Sequence, residues 1–130
     1  MVQLNRTHGE PLAPAELARL RELLGGHPYL ARKALYEVAP PQPHMTPERL
    51  FETATTDDGP FRDHLRRFLI VFQKKEMHEV LGAFREIVKE RGCSDQNLVY
   101  RLESAGLIKR EQRKVVPSCR LYLEYFRDRL

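Results

Sequence analysis

The tetrapeptide Gly25-Gly26-His27-Pro28 is the segment whose residue types most clearly ask for a specific backbone path. One capping glycine is enough to end a helix, and proline is well tolerated in the first turn of the next helix. The second glycine and the rigid proline ring therefore indicate either a required path or the close approach of another group. The simpler interpretation is a helix stop followed directly by a helix start, and the residues alone leave both open.

The most basic short stretch is the hexapeptide at 109–114, which contains Lys109, Arg110, Arg113 and Lys114. In winged helices that bind DNA, a hairpin with such cations contacts phosphates. A solvated hairpin tip is the simpler interpretation. Four basic residues could neutralise only a few phosphates, so any DNA binding by this stretch should be weak, non-specific and sensitive to salt.

The helical segment before that stretch carries Gln96, Asn97 and Arg101, whose side chains could read base edges. Asp95 and Glu103 lie in the same segment and would repel phosphate. Nucleic-acid recognition by this helix is therefore an alternative hypothesis and not the leading one.

A polar cluster of Asp63, His64, Arg66 and Arg67 lies on another predicted helix. The cluster could contact a phosphate or a partner. A solvated face, or a hydrogen bond between subdomains, is the simpler interpretation.

Metal and catalytic chemistry find little support in the sequence. The five histidines have no ligand spacing, and no Ser, Cys or Asp pairs with a histidine in a known catalytic signature. We therefore expect no metal site and no catalytic residues.

Composition and charge place the chain among ordinary globular proteins. Its 130 residues are 42% apolar and 31% charged, with a formal net charge of +4 that permits an acidic partner without requiring one. Cys93 and Cys119 are far apart and are expected to be reduced thiols. No membrane span or signal peptide is apparent, so we expect a cytoplasmic protein without membrane partners.

The first half of the chain has the pattern of short helices. Leu17, Leu20 and Leu24 share one helical face that Gly25 would end, and the next helix would begin at Pro28. That second helix carries an apolar stripe, which comprises Leu30, Ala31, Ala34, Leu35 and Val38. A third, short helix capped by Thr46 should run to about Ala54.

Three more helical patterns follow a break at 55–60. The first has an apolar stripe from Phe61 to Phe72, the second should end at Gly92, and the third should be capped by Ser94 or Asp95 and end at Gly106. The side chains expected to form a common core are Phe68, Phe72, Leu81, Phe84, Leu98 and Leu102.

The last part of the chain changes period. Two short strands, at 107–109 and 114–116, should surround a polar tip, and a last helix should open at Pro117. Helix, helix, helix, hairpin and helix is the order of a winged helix. The sequence therefore predicts a mainly α fold, in which a small helical subdomain at 1–56 packs on a winged-helix domain at 57–130.

Four blocks of the chain, in order and spacing, resemble a known family. They are GGHPYLARKALYEVA, DDGPFRDHLRRFL, RLESAGLIKR and VVPSCRLYLEYFRDRL. The chain is similar to the bacterial AAA-like ATPase domains, STAND-type P-loop proteins that act as signalling switches. The similarity runs from about Leu4 to Leu130 and covers the helical lid and the winged helix of that module.

The resemblance implies a function and a limit on it. The family's nucleotide-binding core has no counterpart here, and the chain contains no G-x-x-x-x-G-K-[ST] motif to cradle phosphates. We therefore expect a non-enzymatic interaction module that docks on an ATPase core or another protein. Nucleotide, ATP or ADP, would bind only if a separate core supplied the phosphate site. A DNA-binding winged-helix regulator is the alternative.

The resemblance also gives the opening turn a role. In STAND ATPases the glycine–x–proline turn of the lid lies against the adenine of the bound nucleotide. Gly25, Gly26 and Pro28 would form that turn in this chain, with His27 and Tyr29 beside it. Without a core, this nucleotide contact would be latent.

Overall fold

A computed structural model of the protein describes all 130 residues and is mainly helical. Its helices are α1 Val2–Thr7, α2 Pro14–Leu24, α3 Pro28–Val38, α4 Pro47–Thr53, α5 Arg62–Phe72, α6 His78–Val88, α7 Gln96–Ser104 and α8 Arg120–Arg127. A short 3-10 turn spans Lys75–Met77, and the strands β1 Ile108–Glu111 and β2 Lys114–Pro117 form an antiparallel hairpin. The predicted mainly α fold with a hairpin and a C-terminal helix is confirmed.

The chain divides into two compact units, Met1–Asp63 and His64–Leu130. The assignment of a lid-like domain to 1–56 and a winged-helix domain to 57–130 is a separate claim and stays a prediction. None of the helices combines the length and the apolar character needed to cross a membrane.

In the first unit, α3 contacts α1, α2 and α4 and is the central helix. The predicted stripes of α2 and α3 are buried, as the leucine and alanine spacing requires; their members are Leu17, Leu20, Leu24, Leu30, Ala31, Ala34, Leu35 and Val38. Burying one such leucine side chain contributes about 1.5–3 kcal/mol, so these faces dominate the stability of the unit.

Helix α1 was not predicted, because six residues are too few to show a helical period. It is tied to the following segment by the buried side chain of Asn5. The Asn5 amide donates to the carbonyl oxygen of Leu12 at 3.0 Å and accepts from the Leu12 backbone N–H at 3.2 Å. This pair satisfies a polar group that would otherwise be costly to bury.

The loop after α4 returns close to the end of that helix at Gly59. Gly59 is buried, and a β-carbon added there would lie well inside van der Waals contact with the carbonyl oxygen of Thr53. The chain therefore needs glycine at this position for a close backbone approach.

In the second unit, α6 contacts α7, α8, β2 and the 3-10 turn. An aromatic cluster fills its interior: the Phe72 and Phe84 rings stack at 5.6 Å, and the Phe126 ring meets both edge-on, at 6.3 and 5.3 Å. Helix α8 buries Leu121, Tyr122, Tyr125 and Phe126. Its aromatic side chains therefore serve the core of this unit.

The predicted core of this unit was correct for only three of its six side chains. Phe72, Phe84 and Leu102 are buried, whereas the side chains of Phe68, Leu81 and Leu98 are only half-buried. On α7 the buried position next to Leu102 is Val99. The helical period identified the buried face of α7 but gave Leu98 instead of Val99 as one of its fully buried residues.

Helix α6 ends at Val88, and the prediction that it would end at Gly92 was wrong. Glu90 takes a left-handed φ of 64° without being glycine. Two backbone hydrogen bonds close the end, from Arg91 N to Glu86 O at 2.8 Å and from Glu90 N to Ile87 O at 3.0 Å. This is the Schellman pattern, which satisfies the last carbonyl groups of the helix.

The expectation that Pro117 opens the last helix was also wrong. Pro117 ends β2 and pairs with Ile108, and α8 begins only at Arg120. Ser118 holds the intervening corner, because its hydroxyl donates to the carbonyl oxygen of Gly106 at 2.6 Å. The strands are also longer than predicted, but the hairpin itself is confirmed.

The hairpin reverses through a two-residue turn at Gln112 and Arg113. Both residues have positive φ, 50° and 68°, which is the pattern of a type I′ turn. This turn type matches the right-handed twist of the strands and fixes their register. The side chains of Arg113 and Lys114 are exposed at the tip.

Candidate functional site

The glycine turn joins α2 to α3 through a fixed path. Gly25 caps α2 with a φ of 61°, a conformation that favours glycine, and its N–H donates to the carbonyl oxygen of Arg21 at 2.8 Å. Pro28 occupies the first turn of α3, as predicted. The turn is therefore both a helix stop and a helix start, as the simpler interpretation required.

His27 caps α3, a role that the sequence did not reveal. Its Nδ1 accepts from the backbone N–H of Leu30 at 3.4 Å, and its ring lies edge-on to Tyr29 at 6.5 Å. Burial lowers the pKa of His27 below its usual range, although a hydrogen bond with its own backbone opposes the shift. The neutral ring is the form that can accept this capping hydrogen bond.

Gly26 leaves open space above the backbone of the turn. The residue is exposed, and a β-carbon placed on it would meet nothing within 4 Å. Pro28 is exposed beside it, whereas Gly25 is half-buried. Gly25, Gly26 and Pro28 thus lie together in one short turn, and a flat group could reach its backbone from solvent.

A second candidate surface surrounds α7, where Arg110 of β1 reaches across to the helix. Its guanidinium lies 3.2 Å from Glu103, 3.4 Å from the side-chain oxygen of Gln96 and 5.9 Å from the centre of the Tyr100 ring. The sequence made Gln96 a candidate base reader and Arg110 a candidate phosphate contact, and the structure joins the two side chains to each other. Glu103, expected to repel phosphate, instead neutralises Arg110.

The other candidate nucleic-acid residues have mixed surroundings. Arg101 Nη2 lies 3.5 Å from Met77 Sδ, and Lys109 pairs with Glu111 at 3.2 Å. Asn97 is exposed, and its backbone N–H donates to Asp95, which caps α7 as predicted. No ion pair involves the remaining two basic residues, Arg113 and Lys114.

Tyr100 was not selected from the sequence as part of this surface, and Glu103 was considered only as a carboxylate that would repel phosphate. Tyr100 is 55% exposed, a large value for an aromatic side chain on an ordered helix. Tyr100 lies four residues after Gln96 and three after Asn97, and Glu103 lies three residues after Tyr100, so these side chains share one side of α7. This helical spacing was the feature of the sequence that could have assigned Tyr100 and Glu103 to the surface.

The two units differ in charge. Residues 1–63 contain seven Lys and Arg against nine Asp and Glu, a net charge of −2. Residues 64–130 contain fifteen against nine, a net charge of +6. The basic character of the chain therefore belongs entirely to the second unit.

In the polar cluster on α5, Asp63 and His64 contact different residues. Asp63 is paired with Arg62 at 3.8 Å, and His64 Nε2 lies 2.7 Å from the Tyr122 hydroxyl. Arg66 and Arg67 are exposed. No group of three or more His, Cys, Asp and Glu side chains in the chain could hold a metal ion.

Comparison with known proteins gives one match. A protein-family model described as an AAA-like domain matches residues 1–128, which is nearly the whole chain. No curated protein matches the chain. No solved structure matches it either.

Proposed function

The chain belongs to the AAA-like domain family, and on that premise we propose that it is a non-enzymatic interaction module. It would correspond to the lid and winged-helix parts of a STAND-type signalling ATPase. Its partner would be an AAA-like ATPase core or an effector protein. The order of helices, hairpin and C-terminal helix supports this proposal.

The open backbone at Gly26 is the observation that carries the proposal. A turn that only linked α2 to α3 would need Gly25 for the cap and Pro28 for the start, but not a second residue without a side chain. The space above Gly26 is empty within 4 Å of a β-carbon position, so the chain itself makes no use of it. A group from a partner, or a nucleotide held by that partner, would occupy this space.

Nucleotide contact in this proposal depends on the partner. The chain has no Gly-rich loop that could offer backbone N–H groups to phosphates, and phosphate recognition supplies much of the affinity of such sites. Gly25, Gly26 and Pro28 would contact the adenine of ATP or ADP only after a separate core had bound it. The isolated chain would neither bind ATP tightly nor hydrolyse it.

The DNA-binding regulator is the weaker proposal for overall function. Sequence-selective readout needs side chains that are free to reach base edges. Gln96, one of the candidate base readers, accepts a hydrogen bond from Arg110, and Arg110 also contacts Glu103.

Site-specific photo-crosslinking tests the docking proposal. A photoreactive amino acid is placed at position 26 in cells that produce the chain, and captured proteins are identified by mass spectrometry. The control is position 82 on α6, which is half-buried but where an added β-carbon also meets nothing within 4 Å. We expect a P-loop protein to be captured from position 26 and not from position 82.

Two results would contradict the proposal. One is equal capture from both positions, which would mean that position 26 has no partner of its own. The other is reproducible capture at position 26 of proteins that all lack a P-loop.

A further inference from the structure

We propose that the second unit, His64–Leu130, binds duplex DNA through the phosphates on either side of a groove that faces α7. The α7 surface comprises Asn97, Tyr100 and Ser104, with cations on both flanks. This inference goes beyond the proposed function and does not depend on it, because it concerns other residues.

One flank of the α7 surface is formed by Arg101 and the start of the 3-10 turn. Arg101 Nη2 lies 3.5 Å from Met77 Sδ, and the backbone N–H of Met77 donates to Lys74 O at 2.9 Å. Lys74 and Lys75 are both exposed, and no ion pair involves either of them. This side of the helix therefore has three cations and one exposed carboxylate, Glu76 of the same 3-10 turn, which leaves it with a net positive charge.

The other flank is formed by the hairpin. Arg110 contacts Gln96 and Glu103, so β1 lies beside the opposite edge of the exposed face of α7. The hairpin tip adds Arg113 and Lys114, both exposed and without an ion pair. With about 100° of rotation per residue, Gln96 and Arg101 lie well over a quarter turn apart around α7. The hairpin and Arg101 therefore border opposite sides of its exposed face.

Between these flanks the surface is polar and uncharged. Asn97, Tyr100 and Ser104 are exposed and carry hydrogen-bonding groups without charge. Cations on both sides of an uncharged helix face match the charge pattern of a DNA groove, where two phosphate chains border the base edges. The major groove of B-form DNA is about 12 Å wide and admits an α-helix, whereas the deep, narrow major groove of duplex RNA does not.

Charge supports an anionic partner for this unit in particular. Residues 64–130 carry a net charge of +6, while residues 1–63 carry −2. Long-range attraction to DNA would therefore act on the second unit. Because Arg110 is neutralised by Glu103 and engages Gln96, binding should depend on phosphates more than on base sequence.

The test is the binding of the full chain to a fluorescently labelled DNA duplex of about 20 base pairs, measured by anisotropy between about 50 and 200 mM salt. We expect affinity to fall steeply as salt rises. The logarithm of the binding constant should change by about −0.9 per neutralised phosphate for each tenfold rise in salt.

Two double variants assign the phosphate contacts to the two flanks. Arg113→Asn with Lys114→Ala removes the charges at the tip, and asparagine tolerates the positive φ at 113. Lys74→Ala with Lys75→Ala removes two of the three cations of the other flank and leaves Arg101 in place. Each should reduce the salt slope by about 2, because each substituted cation leaves one phosphate without its neutralising charge.

The matched control removes the same charge elsewhere on the unit. Arg67 of α5 and Arg127 of α8 are exposed, and the variant Arg67→Ala with Arg127→Ala should leave the slope unchanged. A thermal melt of each variant checks that it is folded. Lys74 and Lys75 lie outside the α-helices, so their variant tests the surface even if the hairpin variant fails to fold.

Four results would overturn the proposal. They are no binding at about 50 mM salt, an equally reduced slope in the control and the flank variants, binding of duplex RNA as tight as that of DNA, and displacement of DNA by polyglutamate at equal charge. The last result would identify the surface as a site for acidic proteins.

Discussion

The Nε2 atom of His64 lies 2.7 Å from the hydroxyl oxygen of Tyr122, and this contact joins residues 58 positions apart. The two rings also stack, with centroids 5.9 Å apart and planes inclined by 14°. Tyr122 is almost fully buried, and its burial, with a smaller effect from Cys119, raises the pKa of its hydroxyl above the usual range. The neutral hydroxyl therefore keeps this hydrogen bond at ordinary pH.

Replacing Tyr122 with Phe should lower the free energy of unfolding by about 1 kcal/mol, because the hydrogen bond is removed while the ring still packs. Urea unfolding of the wild type and the variant measures the change. The double-mutant cycle with His64→Ala isolates the pair. If the effects of the two substitutions simply add, the hydrogen bond contributes nothing of its own.

Replacing Gly59 with Ala should destabilise the first unit by about 1–3 kcal/mol, because the added methyl group would overlap the Thr53 carbonyl oxygen. Gly26→Ala is the matched control, since its β-carbon meets nothing within 4 Å and its φ is not left-handed. The control should be neutral or slightly stabilising. Equal melting temperatures for the two variants would be inconsistent with the close approach at Gly59.

Acid should weaken the cap on α3. Because the pKa of His27 is lowered in the folded protein from its ordinary value of 6.5, its contribution to stability is full above that pH and is lost as the pH falls. His27→Asn keeps a capping side chain that does not titrate, so its stability should decline less on acidification. Thermal melts at neutral and mildly acidic pH compare the two proteins, and identical pH profiles would refute this role.

The two cysteines should differ in reactivity and in their effect on stability. Burial raises the pKa of Cys119 to about 11 from 9.0. Its protonated thiol is favoured by folding, so stability is full below pH 9.0 and falls as the pH rises toward about 11. Cys119→Ala should flatten this fall, which in the wild type can reach about 1.4 kcal/mol per pH unit.

A thiol reagent gives the second measurement on the cysteines. In the folded chain at mildly alkaline pH, the half-buried Cys93 should react first, and Cys119 should react only on unfolding. Simultaneous reaction of both thiols in the folded protein would contradict the burial of Cys119.

The purified chain should show no magnesium-dependent ATP turnover above background, because it lacks a phosphate-cradling loop. Phosphate release is measured across successive purification fractions, with heat-unfolded chain as the control. Turnover that follows the chain through every fraction, in proportion to its concentration, would make it an enzyme.

Helix ends were predictable where one residue type determines them. Gly25 and Gly106 adopt positive φ at helix ends, and Asp95 caps α7 with its own side chain, so each signal is local. The end of α6 near Glu90 was not predicted, because a left-handed conformation is uncommon for residues other than glycine. This helix end is held by hydrogen bonds that no composition rule identifies.

The candidate sites were predictable only in part, for a similar reason. The members of the glycine turn are consecutive, so their proximity follows from the sequence. The contacts of Arg110 with Gln96 and Glu103, and of His64 with Tyr122, join separate elements whose packing the helical period does not specify. The open space above Gly26 likewise depends on what the rest of the unit leaves uncovered.

In the turn at Gln112 and Arg113, the residues that would stabilise the hairpin most are not the residues that give its tip a positive charge. A hairpin reversal with positive φ at both positions is most favourable with Asn-Gly, and this chain uses two long side chains instead. A redesign for heat resistance would introduce Asn-Gly and would thereby remove the arginine at the tip. At position 113, therefore, a more favourable turn residue and a charged tip exclude each other, because glycine would remove the guanidinium.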